Sequence, residues 1–195
     1  MLTSIVLAGG KGRRLGRDKA TVLLGGESLL HRAINRLSPF GPVVVVVAAK
    51  QTLDLPPGAE TVIDVYPGKG PLGGVYSGLK AITTPYALAV GCDMPFLNLD
   101  LLRYLANQAP GYDVVMPKLS GRPEPLHAVY SRDCLPVMEA LIEQDKLSLH
   151  GLLSQLRVRY VEEQDIDTFD PRHWSFFNIN TPDDLVKARL MLPQA

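Results

Sequence analysis

Five consecutive valines, Val43–Val47, restrict the fold of this chain more than any other segment. Valine is enriched in strands, and successive side chains of a strand point to opposite faces of the sheet. An unbroken run of valines is therefore typical of a strand that is buried on both faces. Such strands occur in parallel sheets with helices on each side, so the segment predicts an α/β fold.

Segments with strand and helix patterns alternate around this strand. Apolar residues at 29, 30, 33, 34 and 37 recur at helical spacing, and Pro39 and Gly41 end that predicted helix. Further elements are predicted as strands at residues 4–8, 61–64, 86–90, 114–116, 128–130 and 176–179, and as helices from about 75 to 82, at 135–142, at 149–156 and from Thr181 and Pro182 onward. The alternation predicts a single domain over residues 1–195, a three-layer sandwich with a mostly parallel, Rossmann-like central sheet.

A glycine-rich basic loop follows the first predicted strand. Residues 9–19 carry five cationic side chains against one acid. Glycines let backbone N–H groups approach an anion closely, and the cations neutralise it, so the loop is suited to a polyphosphate. Asp93 follows another buried strand, and ligands of such sheets bind beyond the carboxyl ends of the strands. We therefore expect the loop and Asp93 to lie at one edge of the sheet.

Two common phosphate-binding motifs do not fit this loop. Lys11 is followed by Gly12, whereas a Walker A loop needs Ser or Thr there. A dinucleotide fingerprint starting at Gly10 would need its third glycine at Leu15. Both hydride transfer and Walker-type ATP hydrolysis are therefore disfavoured.

The overall composition excludes several classes of protein. Lys and Arg together number 20, as do Asp and Glu, so bulk charge does not favour nucleic acid or an acidic membrane. The two cysteines, Cys92 and Cys134, are far apart in sequence and form no CxxC pair, which favours a reducing compartment. The longest apolar run is far shorter than the ~18 residues of a membrane span. We expect a soluble, cytoplasmic protein that contacts neither membrane nor nucleic acid.

The segment from Leu7 to Lys19 resembles the LAGGxGxRxGxxK signature of sugar-nucleotide and related nucleotidyltransferases. More narrowly, the chain resembles the molybdenum cofactor guanylyltransferases. Four further segments carry that narrower resemblance: DVYPGKGPLGG at 64–74, GCDMP at 91–95, RPEPLHAVY at 122–130 and NINTPDDL at 178–185. The ordered set spans nearly the whole chain and implies the nucleotide-diphospho-sugar transferase type of fold.

The resemblance implies an activity and its cofactor. GMP would pass from GTP to the terminal phosphate of molybdopterin, with release of pyrophosphate and with Mg²⁺ as cofactor. The N-terminal half would bind the nucleotide and the C-terminal half molybdopterin, with transient contacts to a molybdenum-insertion enzyme and to acceptor molybdoenzymes. Two alternatives stay open at this point: a cytidylyltransferase acting on molybdopterin or another phosphorylated acceptor, and a non-catalytic nucleotide or cofactor carrier.

The resemblance also assigns roles to individual residues. Lys19, Asp93 and Arg13 would be catalytic, with Asp93 holding the metal ion. The residues expected to bind GTP are Leu7, Ala8, Gly9, Gly10, Lys19, Asp64, Gly73 and Asp93. Arg122, Asn178 and Asn180 are the candidates for molybdopterin, with Pro125 and His127 as further possibilities in the same segment. The chain departs from some relatives at residues 47–50, where it has no asparagine that could contact the nucleotide.

This set of residues suits the implied reaction. A phosphate monoester is already anionic at neutral pH, so the nucleophile needs no general base. The reaction needs alignment and neutralisation of charge, which cations, glycines and a carboxylate supply. Mg²⁺ takes oxygen ligands and commonly only one or two protein carboxylates, a role that Asp93 would fill.

Overall fold

The structure, a computed structural model, describes residues 2–8, 19–50 and 53–192. Its strands are β1 (Thr3–Leu7), β2 (Leu23–Leu24), β3 (Glu27–Ser28), β4 (Val43–Val47), β5 (Ala59–Ile63), β6 (Tyr86–Gly91), β7 (Val114–Leu119), β8 (Arg122–Pro123), β9 (His127–Ser131) and β10 (Val158–Val161). Its α-helices are α1 (Leu29–Leu37), α2 (Gly70–Ala81), α3 (Leu99–Asn107), α4 (Leu135–Glu143), α5 (Leu149–Leu153), α6 (Glu163–Asp167) and α7 (Pro182–Met191). Short 3₁₀ turns include Lys19–Thr21 and Trp174–Phe176.

One sheet runs through both halves of the chain. Its strand order is β10-β7-β9-β6-β1-β4-β5, and β8 pairs with the end of β7. Neighbouring strands are parallel except at β9, which is antiparallel to both β6 and β7, and at β8. The chain adds β4 and β5 on one side of β1 and then returns to place β6 on the other side. The carboxyl ends of β1 and β6 are therefore adjacent at the point where the strand order reverses.

The five valines of β4 are buried on both faces of the sheet. Val43, Val45 and Val47 belong to the core that also contains residues of α1 and α3. Val44 and Val46 belong to the opposite core, with residues of α2 and α4. Each face of the sheet at β4 therefore has its own helical layer, and the predicted three-layer α/β sandwich with a mostly parallel sheet is confirmed.

Helix α2 lies unusually close to β1 because glycines face the strand. A Cβ at Gly78 would come within 2.6 Å of Ile5 Cγ2, and one at Gly74 within 3.1 Å of Leu7 Cδ1. Real Cβ atoms do not reach the first of these distances, so only glycine fits at Gly78 without a shift of the strand or the helix. The close contact fixes the helix against the end of β1.

Several predicted elements differ from the structure. Helix α2 begins at Gly70, inside the predicted loop, because Gly68 and Gly70 adopt positive φ and turn the chain so that Pro71 falls in the first helical turn. The predicted strand at 176–179 is wrong. The carboxylate of Asp170 accepts from the N–H groups of Trp174 and Ser175, and a 3₁₀ turn forms at Trp174–Phe176. Residues 177–180, which follow it, have no regular secondary structure. Helix α5 also ends at Leu153, earlier than predicted.

The start of α7 is as predicted. Thr181 Oγ1 accepts from the N–H of Asp184, and the Asp184 carboxylate accepts from the N–H of Thr181, which is a capping box. Pro182 occupies the first turn. None of the helices in the described part of the chain combines the length and the hydropathy needed to cross a membrane.

Candidate active site

A cavity of about 550 Å³ opens at the carboxyl edge of the sheet, beyond the ends of β1, β4, β5 and β6. This is the switch point of the strand order, where open α/β sheets bind their ligands. The described residues that line it are Leu7, Ala8, Lys19, Val46, Val47, Ala48, Asp64, Gly68, Gly70, Pro71, Gly74, Gly91, Cys92, Asp93 and Leu126. Sequence reasoning predicted Leu7, Ala8, Lys19, Asp64 and Asp93 as nucleotide-binding residues, and the structure brings all five to this cavity.

Lys19, Asp93 and Asn180 form the central polar cluster of the site. Lys19 Nζ lies 2.6 Å from Asp93 Oδ2 and 2.6 Å from Asn180 Oδ1. The side chains of Lys19 and Asp93 are only 20% and 16% exposed, so solvent screens their ion pair less than a surface pair. The ammonium group of Lys19 thus connects Asp93, which follows β6, to Asn180, which precedes α7.

The backbone around Asp93 fixes the position of its carboxylate. A Cβ at Gly91 would lie 2.5 Å from Asp93 Oδ1, so the carboxylate folds back over the glycine. The Asp93 carbonyl accepts from the N–H of Ile179 at 2.9 Å. This bond ties the segment that carries Asn178 and Asn180 directly to Asp93.

Asp64 lies on the other side of the cavity, immediately after β5. Its Oδ1 accepts from the N–H of Tyr66 at 3.0 Å and from the hydroxyl of Ser77 at 2.7 Å. Its own N–H donates to the carbonyl of Val47 at 2.8 Å, which continues the β4–β5 ladder by one residue. The carboxylate is therefore held by two donors at the rim of the sheet.

Backbone groups and apolar side chains form the rest of the wall. The N–H of Ala8 donates to the carbonyl of Val46 at 3.0 Å, and the carbonyl of Leu7 accepts from Cys92 at 3.2 Å. The stretch of wall after β4 consists of Val46, Val47 and Ala48. This stretch supplies van der Waals contact and no side-chain amide, in agreement with the departure seen in the sequence.

Other predicted site residues do not line this cavity. Gly73 is buried in α2, where a Cβ would meet the carbonyl oxygen of Tyr66 at 2.9 Å, so the structure gives it a packing role. Asn178 donates from Nδ2 to the carbonyl of Phe176 at 2.8 Å. Arg122 is exposed in β8, in the hairpin that follows β7. The assignment of Arg122, Asn178 and Asn180 to molybdopterin stays a prediction, and Gly9, Gly10 and Arg13 lie outside the described residues.

His127, the first residue of β9, is fully buried. Its ring centroid lies 4.6 Å from that of Phe176, and neither ring nitrogen has a hydrogen-bond partner among the described residues. Burial lowers the pKa of His127 from 6.5 to about 3, so the ring is neutral at physiological pH. His127 therefore does not present a positive charge to a substrate.

Sequence reasoning missed two contacts of this site. The first is the bond between Lys19 and Asn180, residues that are 161 positions apart. The second is the hydroxyl of Ser77 behind Asp64, for which the only signal was a small polar residue on the buried face of a glycine-rich helix. The contact between Lys19 and Asn180 depends on the position of the segment before α7, and the contact between Ser77 and Asp64 depends on the packing of α2, so local sequence patterns showed neither contact.

The donor set of the cluster is suited to a hard cation. Among the described residues, no group of three or more His, Cys, Asp or Glu side chains could hold a metal ion together. Asp93 and Asn180 instead place one carboxylate oxygen and one amide oxygen against the same ammonium group. A small number of oxygen ligands fits Mg²⁺, which keeps several waters and takes further ligands from a phosphate.

Comparisons with known proteins agree with this geometry. A family model described as the MobA-like NTP transferase domain matches residues 4–160. The chain is 34% identical over 189 residues to the molybdenum cofactor guanylyltransferase of Desulfosudis oleivorans, covering 96% of this chain and 94% of that protein. It is 33% identical over 193 residues to the molybdenum cofactor guanylyltransferase of Syntrophotalea carbinolica, covering 98% of this chain and 92% of that protein.

Solved structures show the same fold. Molybdopterin-guanine dinucleotide biosynthesis protein A from Archaeoglobus fulgidus superposes with a TM-score of 0.85 at 30% identity, and the match covers 100% of both chains. The 2-C-methyl-D-erythritol 4-phosphate cytidylyltransferase of Thermus thermophilus superposes with a TM-score of 0.71 at 19% identity, covering 99% of this chain and 100% of that one. The second likeness concerns the fold alone, and that fold is the nucleotide-diphospho-sugar transferase type expected from the sequence.

Proposed function

The chain belongs to the family of MobA-like NTP transferases, and from that membership we propose that it is a molybdenum cofactor guanylyltransferase. It transfers GMP from GTP to the terminal phosphate of molybdopterin. An oxygen of that phosphate forms a new bond to the α-phosphorus of GTP. The bond from the α-phosphorus to the oxygen that bridges to the β-phosphorus breaks, and pyrophosphate leaves with that oxygen.

The observation that carries this proposal is the cluster of Lys19, Asp93 and Asn180. Two of its residues, Lys19 and Asp93, line the switch-point cavity, and the cluster joins the nucleotide side of the chain to the segment before α7. A transfer between two phosphates needs both substrates at one place, with their negative charge neutralised there. At this cluster, elements of both halves of the chain meet around one cation beside the cavity.

We assign the cationic, anionic and apolar side chains of the cavity to different parts of the substrates. Lys19 leaves its carboxylate and amide partners and binds the phosphates of GTP, since an ammonium group donates strong, charge-assisted hydrogen bonds to phosphate oxygens. Asp64 accepts hydrogen bonds from the nucleoside at the opposite wall of the cavity. The apolar wall from Val46 to Ala48 covers the nucleoside and excludes water from it. No side chain has to remove a proton, because the attacking phosphate oxygen is anionic.

We further propose that Mg²⁺ is held at this site by Asp93, with the amide oxygen of Asn180 beside it. When bound, the cation would neutralise charge on the phosphates during the transfer. The convergence of the two oxygens on one ammonium group supports this assignment. The expected handover from a molybdenum-insertion enzyme to acceptor molybdoenzymes, and the cytoplasmic location, stay predictions.

The experiment that tests the proposal measures pyrophosphate release. The purified protein is mixed with Mg²⁺ and molybdopterin, and each of the four nucleoside triphosphates is supplied in turn. We expect release with GTP alone, and none when molybdopterin is omitted. Release with CTP instead would retain the mechanism and refute the guanine assignment, whereas binding of GTP without any release would favour a carrier.

A further inference from the structure

Ser77 lies on the buried face of α2, directly behind Asp64, and is 2% exposed. Its Oγ is 2.7 Å from Asp64 Oδ1 and accepts from the N–H of Val65 at 3.0 Å. The carbonyl oxygen of Gly73 is 2.8 Å away. The hydroxyl therefore touches three polar groups on two elements, the end of β5 and the first turns of α2.

The serine hydroxyl has one proton for two nearby acceptors. The carbonyl of Gly73, four residues earlier in α2, is the regular acceptor for a helical N–H. The carboxylate of Asp64 carries charge and is slightly closer, and hydrogen bonds to ionised groups are the stronger ones. The proton of Ser77 therefore goes to Asp64.

This hydrogen bond decides which oxygen of Asp64 remains for a ligand. Oδ1 already accepts from Ser77 and from the N–H of Tyr66. No described residue donates to Oδ2, although the carboxylate lines the cavity. A nucleotide offers two kinds of donor to such an oxygen, an N–H of the base or an O–H of the ribose.

Helix α2 keeps Ser77 in place. Its neighbour Gly78 packs directly against the side chain of Ile5, so closely that a Cβ at Gly78 would lie 2.6 Å from Ile5 Cγ2. Ser77 is thus held in place by the packing of α2 on β1, and its hydroxyl can fix the orientation of the Asp64 carboxylate.

We propose that Ser77 is a positioning residue for nucleotide binding: it holds Oδ1 of Asp64 so that Oδ2 faces the donor groups of the nucleoside. This inference rests on the proposed function, because it takes Asp64 as a nucleotide contact.

The test is a double-mutant cycle on nucleotide affinity, with the full-length chain and Mg²⁺. The affinity for GTP is measured by calorimetry for wild type, Ser77→Ala, Asp64→Asn and the double variant. Loss of a charge-assisted hydrogen bond predicts that Ser77→Ala weakens GTP binding about tenfold in the wild-type background. In the Asp64→Asn background the same change alters affinity by less than about twofold. The amide nitrogen that replaces Oδ2 there cannot accept a hydrogen bond from the nucleoside, so Ser77 has no nucleotide contact left to position.

Ser4→Ala is the matched control, since it also removes a buried serine hydroxyl. Ser4 is fully buried in β1, and its Oγ has no partner among the described residues. We expect its affinity for GTP to equal that of wild type. If Ser77→Ala does not fold, Ser77→Cys keeps a weak donor at the same position and replaces it in the cycle.

Two results would overturn the role of Ser77. One is an unchanged affinity in Ser77→Ala, and the other is an equal loss in both backgrounds, which would mean a purely structural effect. Inosine triphosphate lacks the 2-amino group of guanine and 2′-deoxy-GTP lacks the 2′-hydroxyl, so the missing group is the donor if that analogue no longer responds to Ser77→Ala. An undiminished response with both analogues assigns the donor to N1–H or the 3′-hydroxyl. Wild-type protein that binds CTP and not GTP would refute the guanine assignment alone, since the cycle is then run with CTP.

Discussion

The buried imidazole of His127 predicts a specific loss of stability in acid. Burial lowers the pKa of His127 to about 3 in the folded protein, against 6.5 for the ordinary side chain. Between these two values the unfolded chain binds a proton that the folded chain does not. The free energy of unfolding therefore falls as the pH falls below 6.5. The stability that the neutral, buried ring allows is fully present only above that value.

The size of the effect follows from the two pKa values. Going from pH 7 to pH 5 favours the unfolded chain by about 2 kcal/mol through this one group. Replacement of His127 by leucine removes the titration. It should cost little at pH 7, because neither ring nitrogen makes a hydrogen bond within the described structure and the ring packs against that of Phe176.

The assay is urea denaturation of wild type and His127→Leu at both pH values. Between pH 7 and pH 5 the free energy of unfolding should fall by about 2 kcal/mol less in His127→Leu than in wild type. An equal loss in both proteins would refute the reasoning, because the acid sensitivity would then lie in other groups. A large loss in His127→Leu at pH 7 would also contradict it, since it would reveal a hydrogen bond of the ring.

Three further substitutions test the site and its support. Lys19→Ala should weaken GTP binding about tenfold or more in calorimetry, and unchanged affinity would remove Lys19 from the phosphate site. Asp93→Asn should abolish nucleotide transfer while its far-ultraviolet circular dichroism stays that of wild type, and full activity at ordinary Mg²⁺ would refute the metal assignment. Gly78→Ala should lower the free energy of unfolding by about 1 kcal/mol, since overpacking against Ile5 outweighs the gain in helix propensity, and a more stable variant in urea would contradict the packing argument.

Regular segments of the fold were predictable because their residue patterns match one environment. The run of valines fits only a strand covered on both faces, and the helical spacing of the apolar residues at 29, 30, 33, 34 and 37 predicted α1. The topology also predicted that the glycine-rich loop and Asp93 lie at the same edge of the sheet, because parallel strands end at the same edge. Lys19 and Asp93 could therefore be placed together before any contact was known.

Other features depended on packing that the sequence does not display. The glycines of α2 resemble a loop in composition, yet Gly74 and Gly78 serve to bring the helix close to β1. The segment before α7 has a strand-like pattern, but its N–H at Ile179 binds the carbonyl of Asp93 instead of a neighbouring strand. Contacts of this kind join residues far apart in sequence, and local patterns carry no information about them.

The central claim is that Lys19, Asp93 and Asn180 form the centre at which GMP is transferred. The most direct test follows GTP labelled at its α-phosphate in a single turnover with Mg²⁺ and molybdopterin. Wild-type protein should move the label onto molybdopterin, and Asp93→Asn should bind GTP but leave the label on the nucleotide. Transfer of the label by Asp93→Asn at the wild-type rate, or a label that wild type never moves, would contradict the account.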